Sequence, residues 1–346
     1  MDSGYLLAFD PFAIQFTESF GIRWYGLGYL GGFLSGYFFT AWLLAKPGML
    51  LSRHLLEDFV FSVAVGCIVG GRLGYCLFYS PSLLTDFRDS FPFWGVLAVN
   101  EGGMASHGGI VGMVIAVLIF SRRHQISFWH LGDLVIYGST LGITFGRLAN
   151  FINGELVGRA CNSSCIFPVK FPQDILTWPF YSPEKLPSLQ GVVEKLGIEA
   201  SSWQNMVNYG GKSQILDVMH QIVRSVQSGN KEIQEALKEV LIARHPSQLY
   251  AAFFEGLFLF LVLFWVWRKP QRPGVIAALF LFLYPIMRMF TEFFREPDLH
   301  VGFQLFGLTR GQWLSIIMLA VTSVFLIKIL RSSAPKIGGW SKKPSK

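Results

Sequence analysis

Apolar stretches alternate with polar segments along the chain, and seven of the apolar stretches hold about 20 residues each. A helix of about 20 apolar residues is long enough to cross the hydrocarbon core of a bilayer. The pattern therefore predicts an all-α integral membrane protein with seven transmembrane helices. The predicted helices cover residues 22–44, 59–79, 104–120, 131–152, 249–266, 274–294 and 313–330.

The composition supports a membrane protein. Of the 346 residues, 52% are hydrophobic and 15% are charged, whereas soluble domains contain about 25% charged residues. This charge deficit excludes an ordinary soluble protein and an intrinsically disordered chain. The net charge is +7. We expect no nucleic-acid partner, because in a membrane protein the position of the basic residues matters more than their sum.

Lysine and arginine are distributed unevenly between the two sets of short connections. The loops after the first, third and fifth predicted helices, together with the C-terminal tail, carry 13 of these residues. The opposite side carries Arg88, Arg295 and Arg310. Because basic loops stay in the cytoplasm, the N-terminus is predicted to lie outside and the C-terminus inside. The tail 333–346 is then a basic cytoplasmic segment near anionic lipid.

The polar segment 153–248 lacks a spanning stretch and falls on the outer side. Apolar residues recur at helical spacing over 215–226 and again over 233–241, after a turn at Gly229 and Asn230. We expect an external helical cap, which is either a solvated structural insertion or a surface that recognises a protein substrate. The predicted domains are 1–152 with helices one to four, 153–248 as the cap, 249–332 with helices five to seven, and 333–346 as the tail.

Cys161 and Cys165 lie in this external segment, with three residues between them. An oxidising exterior compartment permits a disulfide between them. No second pair accompanies them, so they do not indicate a zinc site.

Polar and ionisable side chains interrupt several predicted helices. Such groups are costly inside a bilayer and usually line a cavity or a site. In the predicted topology, the start of an odd helix and the end of an even helix lie at the same depth in the outer half of the membrane. We therefore expect one cavity that opens outward. The side chains concerned are Arg72, His107, Arg147, Asn150, Glu255, Tyr284, Arg288 and Glu292.

The spacing of these groups favours an anionic ligand. Tyr284, Arg288 and Glu292 share one helix face, so that Glu292 can pair with Arg288, although such a pair can also simply lock helices together. Arg147 has no carboxylate nearby in sequence, and a planar guanidinium suits phosphate. His107 sits before two glycines. We favour a role for it as a base or proton shuttle over a purely structural one.

The segment from Gly146 to Arg159 reads GRLANFINGELVGR and resembles one family closely, the bacterial phosphatidylglycerol–prolipoprotein diacylglyceryl transferases. The resemblance covers nearly all the predicted helices. Ala149 stands where glycine is commonest in that family, and residues 160–243 match it poorly. Further matching segments follow the same order: 22–26, 70–75, 101–109, 244–250, 288–298 and 311–315.

The resemblance implies an activity. Members of this family move a diacylglyceryl group from phosphatidylglycerol to the thiol of the lipobox cysteine in an exported prolipoprotein, which is the first step of lipoprotein maturation. A thioether forms and glycerol phosphate leaves. The implied location is the bacterial cytoplasmic (inner) membrane, with the active site toward the outer leaflet. The sequence contains no metal or nucleotide motif, and we expect no cofactor.

The resemblance also suggests roles for single residues. His107 would take the thiol proton, and Arg147 and Arg288 would stabilise the departing phosphate. Tyr25 and Asn150 would position the head group. The remaining implied roles are space for lipid at Gly102, Gly108 and Gly158, orientation of arginines by Glu155 and Glu292, and substrate binding by Tyr284.

A transporter of an anionic amphiphile is the main alternative, because it also needs arginines in a cavity within the membrane. Many transporters contain inverted repeats, and the two halves of this chain show none. Release of glycerol phosphate in the presence of a thiol peptide would separate an enzyme from a transporter.

Overall fold

The long helices of the computed structural model follow the predicted apolar stretches. The structure describes residues 4–16, 21–99, 102–161, 165, 167–297 and 302–341. Glu101 and Asp298 of the resembling segments, and the end of the basic tail from Lys342 to Lys346, lie outside the described residues. The chain is 68% helical, which confirms the all-α prediction. The long helices are α1 Trp24–Leu44, α2 Leu56–Phe78, α3 Ser106–His124, α4 Phe128–Ile152, α12 Val275–Glu292 and α13 Arg310–Arg331. The helix predicted at 249–266 consists of three consecutive segments, which are α10 Ser247–Ala251, a π-helical segment Ala252–Phe258 and α11 Leu259–Val266.

Five stretches of the described chain are long and apolar enough to cross a membrane. The protein is therefore a multi-pass membrane protein. The five stretches are Trp24–Leu44, Arg53–Phe78, Ser247–Val266, Val275–Glu292 and Arg310–Arg331.

The predicted third helix continues four residues beyond its expected end. It ends at His124, and Gln125 follows with the left-handed backbone that commonly terminates a helix. Arg122, Arg123 and His124 occupy the last turn. Basic side chains there interact favourably with the negative end of the helix dipole, which explains why the helix outlasts the apolar stretch.

Two compact units divide the chain. Unit 1 contains Met1–Leu30, Ile143–Leu257 and Tyr284–Met318, and unit 2 contains Gly31–Gly142, Phe258–Leu283 and Leu319–Lys346.

In unit 2, glycines bring α2 and α3 into backbone contact. A Cβ atom added to Gly70 would lie 2.8 Å from the Cα of Gly112, and one added to Gly74 would lie 2.8 Å from the Cα of Gly108. Small residues four apart permit this close approach between membrane helices. Gly36 of α1 meets Gly138 of α4 in the same way.

Buried polar groups also tie unit 2 together. The Asp133 carboxylate on α4 accepts hydrogen bonds from the backbone N–H groups of Gly274 (2.7 Å) and Ala277 (2.8 Å) at the start of α12. A carboxylate at this position satisfies N–H groups that have no partner within the helix. The Tyr137 hydroxyl donates to the Leu263 carbonyl at 2.9 Å.

In unit 1, short helices between α4 and α10 surround their own hydrophobic core. Trp203, Met219 and Ile222 are completely buried in it. The helices predicted over 215–226 and 233–241 are confirmed as α8 Lys212–Gln227 and α9 Lys231–Val240, and the Asn230 side chain caps α9. The other short helices are α5 Trp178–Tyr181, α6 Gln190–Glu194 and α7 Ala200–Tyr209.

Short strands join the ends of this helical region. Strand β1 (Tyr5–Leu6) pairs in parallel with β4 (Val169–Lys170), and β2 (Phe12–Gln15) pairs with β3 (Gly21–Arg23). The backbone of Arg244 also exchanges two hydrogen bonds with that of Val169 in β4. A disulfide joins Cys161 to Cys165.

Candidate functional site

A fully buried carboxylate binds two arginines inside unit 1. Glu255 is 0% exposed, and its two oxygens lie 2.9 Å from Arg147 Nη2 and 3.2 Å from Arg288 Nη1. The Thr291 hydroxyl donates to the same carboxylate. Three separate segments of the chain, namely α4, the π-helical segment and α12, thus meet at Glu255.

The π-helical segment matters to this arrangement. Glu255 lies in the middle of Ala252–Phe258, where the helix is wider than an α-helix. Such segments are rare and frequently occur at functional sites. Arg147 has no carboxylate nearby in sequence, as expected, but the fold brings it a partner, Glu255, from 108 residues away.

A second buried carboxylate completes the cluster. Glu292 binds Arg288 at 2.7 Å, which confirms the pairing predicted from their spacing, and it lies 3.7 Å from Arg295. The Thr309 hydroxyl donates to Glu292 at 2.9 Å. Three arginines and two carboxylates therefore form one network with a surplus of positive charge.

The arginines of this network border a common cavity. Its wall includes Arg147, Arg288 and Arg295. Gln248 also lines it, and its amide donates to the Glu155 carbonyl at 2.6 Å. The cavity is small, with a volume of about 10 Å³, and carboxylates already fix the positions of the guanidinium groups that border it. Preorganised donors of this kind stabilise developing negative charge strongly.

Tyr25 and Asn150, which are predicted to position the head group, also meet Glu155 in unit 1. The Tyr25 hydroxyl donates to the Glu155 carboxylate, and the Asn150 amide donates to the Tyr25 oxygen. Glu155 was predicted to orient an arginine. It instead accepts from Tyr25 and Asn150, because these side chains come within hydrogen-bond reach of it. Tyr284 interacts with the Arg147 side chain, which links the predicted face of α12 to α4.

Gly158 was predicted to leave space for lipid, but it permits close backbone packing instead. A Cβ atom there would lie 2.8 Å from the Phe294 carbonyl oxygen and closer still to that of His245. The neighbouring Arg159 N–H bonds to the same Phe294 carbonyl at 2.9 Å. Gly158 thus allows three backbone segments to approach, and the space at its Cα is filled by protein and not open to lipid.

His107, Gly102 and Gly108 belong to unit 2. His107 is exposed in the first turn of α3. Gly108 was predicted to leave space for lipid, but its Cα faces the Gly70 carbonyl and Gly74, so it serves helix packing. Gly102 has a φ of +89° with open space around it. The meeting of His107 with the two arginines stays a prediction.

Arg72 was predicted to line the cavity, and this prediction is wrong. The side chain is 5% exposed. It donates to the carbonyls of Gly95 (2.6 Å), Val96 (2.8 Å) and Gly103 (3.1 Å), and also to that of Gly102. These carbonyls occupy its donors, so Arg72 holds the segment before α3 in place and is not available to a ligand.

The sequence places Glu255 among the side chains of the expected cavity, but its two arginine partners could not be read from the sequence. Other residues at the cavity were missed. Arg295 was counted only as a loop residue. Thr291 and Gln248 gave no signal, because single hydroxyl or amide groups are common near helix ends.

One further cluster lies at the start of the spanning stretch Ser247–Val266. His245 Nδ1 is 3.5 Å from Cys165 Sγ and 3.5 Å from the Tyr250 hydroxyl. Partial burial lowers the pKa of His245 below its ordinary value, so the neutral ring is favoured. The cysteines are joined to each other, and the disulfide leaves neither thiolate free to bind a metal.

Apolar helices long enough to span a membrane, together with a cavity bordered by three arginines, are typical of an integral membrane protein that binds an anionic amphiphile. Comparison with known proteins identifies the family. The family model for prolipoprotein diacylglyceryl transferase matches residues 11–328. This chain belongs to the prolipoprotein diacylglyceryl transferase family.

Individual relatives support the same assignment. A phosphatidylglycerol–prolipoprotein diacylglyceryl transferase of Bdellovibrio bacteriovorus is 48% identical over 339 residues, which cover 96% of each chain. The enzyme of the same name from Idiomarina loihiensis is 32% identical, with 93% of each chain covered. That of Bradyrhizobium diazoefficiens is 34% identical, with 95% of this chain and 94% of the relative covered.

Proposed function

We propose that this protein transfers the diacylglyceryl group of phosphatidylglycerol to the lipobox cysteine of prolipoproteins. The observation that carries the proposal is the joint position of Arg147 and Arg288 on one cavity wall, in a chain of this family. The cysteine sulfur forms a bond to the glyceryl carbon that bears the phosphate. The carbon–oxygen bond breaks, and glycerol phosphate leaves with the electron pair.

The arginines act on the leaving group in this proposal. Negative charge grows on the phosphate oxygens as the carbon–oxygen bond breaks, and Arg147 and Arg288 stabilise it. Glu255 and Glu292 hold the guanidinium groups in position before the lipid arrives. No cofactor takes part, because the lipid itself supplies the electrophile.

The acceptor must lose a proton before it attacks. A cysteine thiol with a pKa of about 8.5 is mostly protonated at neutral pH. We assign the removal of this proton, directly or through water, to His107. Tyr25, Asn150 and Glu155 form a hydrogen-bonded group suited to the hydroxyls of the glycerol head group, and Tyr284 supports Arg147.

The proposed setting is the bacterial cytoplasmic membrane. Seven helices cross it, with the N-terminus outside and the C-terminus inside. Residues 153–248 form the external cap between helices four and five, and the basic tail 333–346 lies in the cytoplasm. The site then faces the outer leaflet, where exported prolipoproteins arrive. The uneven distribution of lysine and arginine supports this orientation.

The test measures transfer from phosphatidylglycerol to a synthetic lipobox peptide by mass spectrometry. Arg147→Ala and Arg288→Ala should each lower the turnover rate by about 10²–10³-fold, the usual effect of removing one such donor. Arg88→Ala is the matched control, because Arg88 forms its ion pair with Asp86 in a loop. Folded Arg147 and Arg288 variants with normal turnover would refute the electrostatic role, and the absence of a covalent product would favour a transporter.

A further inference from the structure

A second cavity in unit 1 adjoins the arginine cavity. It has a volume of about 320 Å³, near the lower end of the range for ligand sites of about 300–1,000 Å³. Leu156 and Arg295 line both cavities. The two cavities therefore share part of a wall, and we call the second cavity the cleft.

The walls of the cleft combine aromatic, cationic and anionic groups. Trp178, Tyr181 and Lys185 come from the helical part of unit 1. Lys185 Nζ lies 5.6 Å from the centre of the Trp178 ring. Thr177 and Ser182 add hydroxyls between them. The cleft thus offers a flat apolar surface together with both donors and acceptors of hydrogen bonds.

Another part of the cleft lining is fixed by an ion pair. Arg244 binds Asp174 through two nitrogens, the shorter distance being 2.9 Å, and reaches Glu296 at 3.2 Å. Its side chain also donates to the Gly158 carbonyl at 3.1 Å. A wall held by this many bonds is preformed, so little ordering is lost when a ligand binds.

The lining favours a polypeptide over two other occupants. An acyl chain is apolar along its whole length, whereas charged and hydroxyl groups interrupt the aromatic surface of the cleft. A phosphate head group would meet the carboxylates of Asp174 and Glu296 as well as the cationic groups. An extended polypeptide fits, because its backbone both donates and accepts hydrogen bonds and its side chains can stack on Trp178 and Tyr181.

We propose that the cleft binds the first residues that follow the acceptor cysteine in the protein substrate. This proposal rests on the proposed function, since the acceptor thiol must reach the arginine cavity. The residues before the cysteine belong to an apolar signal segment, which suits the membrane. The residues after it begin the polar exported chain, and they would continue from the thiol past Leu156 and Arg295 into the cleft.

Charge reversal at Lys185 tests the proposal. The acceptors are three lipobox peptides, one ending at the cysteine amide, one continuing with four aspartates and one with four lysines. In Lys185→Glu, the KM for the aspartate peptide should rise by about threefold to fivefold, the size expected of an exposed ion pair. The KM for the lysine peptide should fall, while that for the short peptide and the turnover number stay unchanged.

Lys195→Glu is the matched control, because Lys195 is exposed in the same helical region but does not line the cleft. An equal effect on all three peptides, an effect only on the KM for phosphatidylglycerol, or no effect of Lys185→Glu would overturn the proposal. If the unmodified protein transfers lipid to none of the three peptides, the proposed function itself is refuted, and the proposed role of the cleft with it.

Discussion

Glu255 is the residue on which the two arginines depend most directly. It is fully buried and binds both of them. A buried carboxylate between two cations offsets a charge repulsion that would otherwise push the guanidinium groups apart. The sequence suggests only that a carboxylate inside an apolar helix has a partner. Which arginine it binds depends on how distant helices meet, and that is not encoded in local spacing.

Neutralising Glu255 should destabilise the protein. Glu255→Gln keeps the shape of the side chain but leaves two buried arginines without their shared anion, which typically costs about 3–5 kcal/mol. Thermal unfolding in detergent should show a lower midpoint, and lipid transfer should fall. Asp86→Asn removes a partly exposed pair and should cost no more than about 1 kcal/mol. Equal unfolding temperatures for the two variants would contradict this account.

A substitution at His107 tests whether this side chain is the base that removes the thiol proton. His107→Gln keeps a hydrogen-bonding side chain but cannot titrate. If His107 takes the thiol proton, turnover should fall by about 10²–10⁴-fold, as for other general bases. A lipobox peptide supplied at high pH, where its thiol is already ionised, should recover part of the rate. Unchanged turnover at every pH would mean that His107 is structural.

At the scale of elements, the sequence predicts the long helices well because each needs about 20 apolar residues in a row. It also predicts the amphipathic α8 and α9 from their helical repeat. It does not predict where helix surfaces meet. Gly108 was assigned to lipid on family resemblance, whereas its neighbours are the backbone atoms of Gly70 and Gly74. A glycine can either leave space for lipid or permit close helix packing, and only the atoms around it in the structure show which of the two applies.

The glycine contact between α2 and α3 should be sensitive to a single methyl group. In Gly70→Ala the new Cβ would meet Gly112 Cα at 2.8 Å, and overpacking of this kind typically costs about 1–3 kcal/mol. Gly132→Ala on α4 is the control, since its Cβ would have nothing within 4 Å. We expect a lower unfolding temperature for Gly70→Ala alone. A drop of the same size in both variants would argue against the contact.

For the whole molecule, the distribution of lysine and arginine makes a prediction about orientation. Cysteines introduced at Ser188 in the cap and at Ser333 in the tail, both exposed, should lie on opposite sides of the membrane. A membrane-impermeant maleimide should label Ser188→Cys in intact cells and Ser333→Cys only after the membrane is opened. Labelling of the unmodified chain gives the background signal from Cys67 and Cys76. Labelling in the reverse order would invert the proposed topology.

The four carbonyls bound by Arg72 bear on how genetic screens of this protein are interpreted. Replacing Arg72 would release Gly95, Val96, Gly102 and Gly103 and leave their backbone carbonyls without this partner. Cells carrying such a change would lose lipoprotein maturation just as cells lacking a true site residue would. Protein abundance separates the two cases: the Arg72 variant should be depleted from the membrane by quality control, whereas a variant at an exposed site residue, such as His107→Gln, should accumulate normally and lack activity.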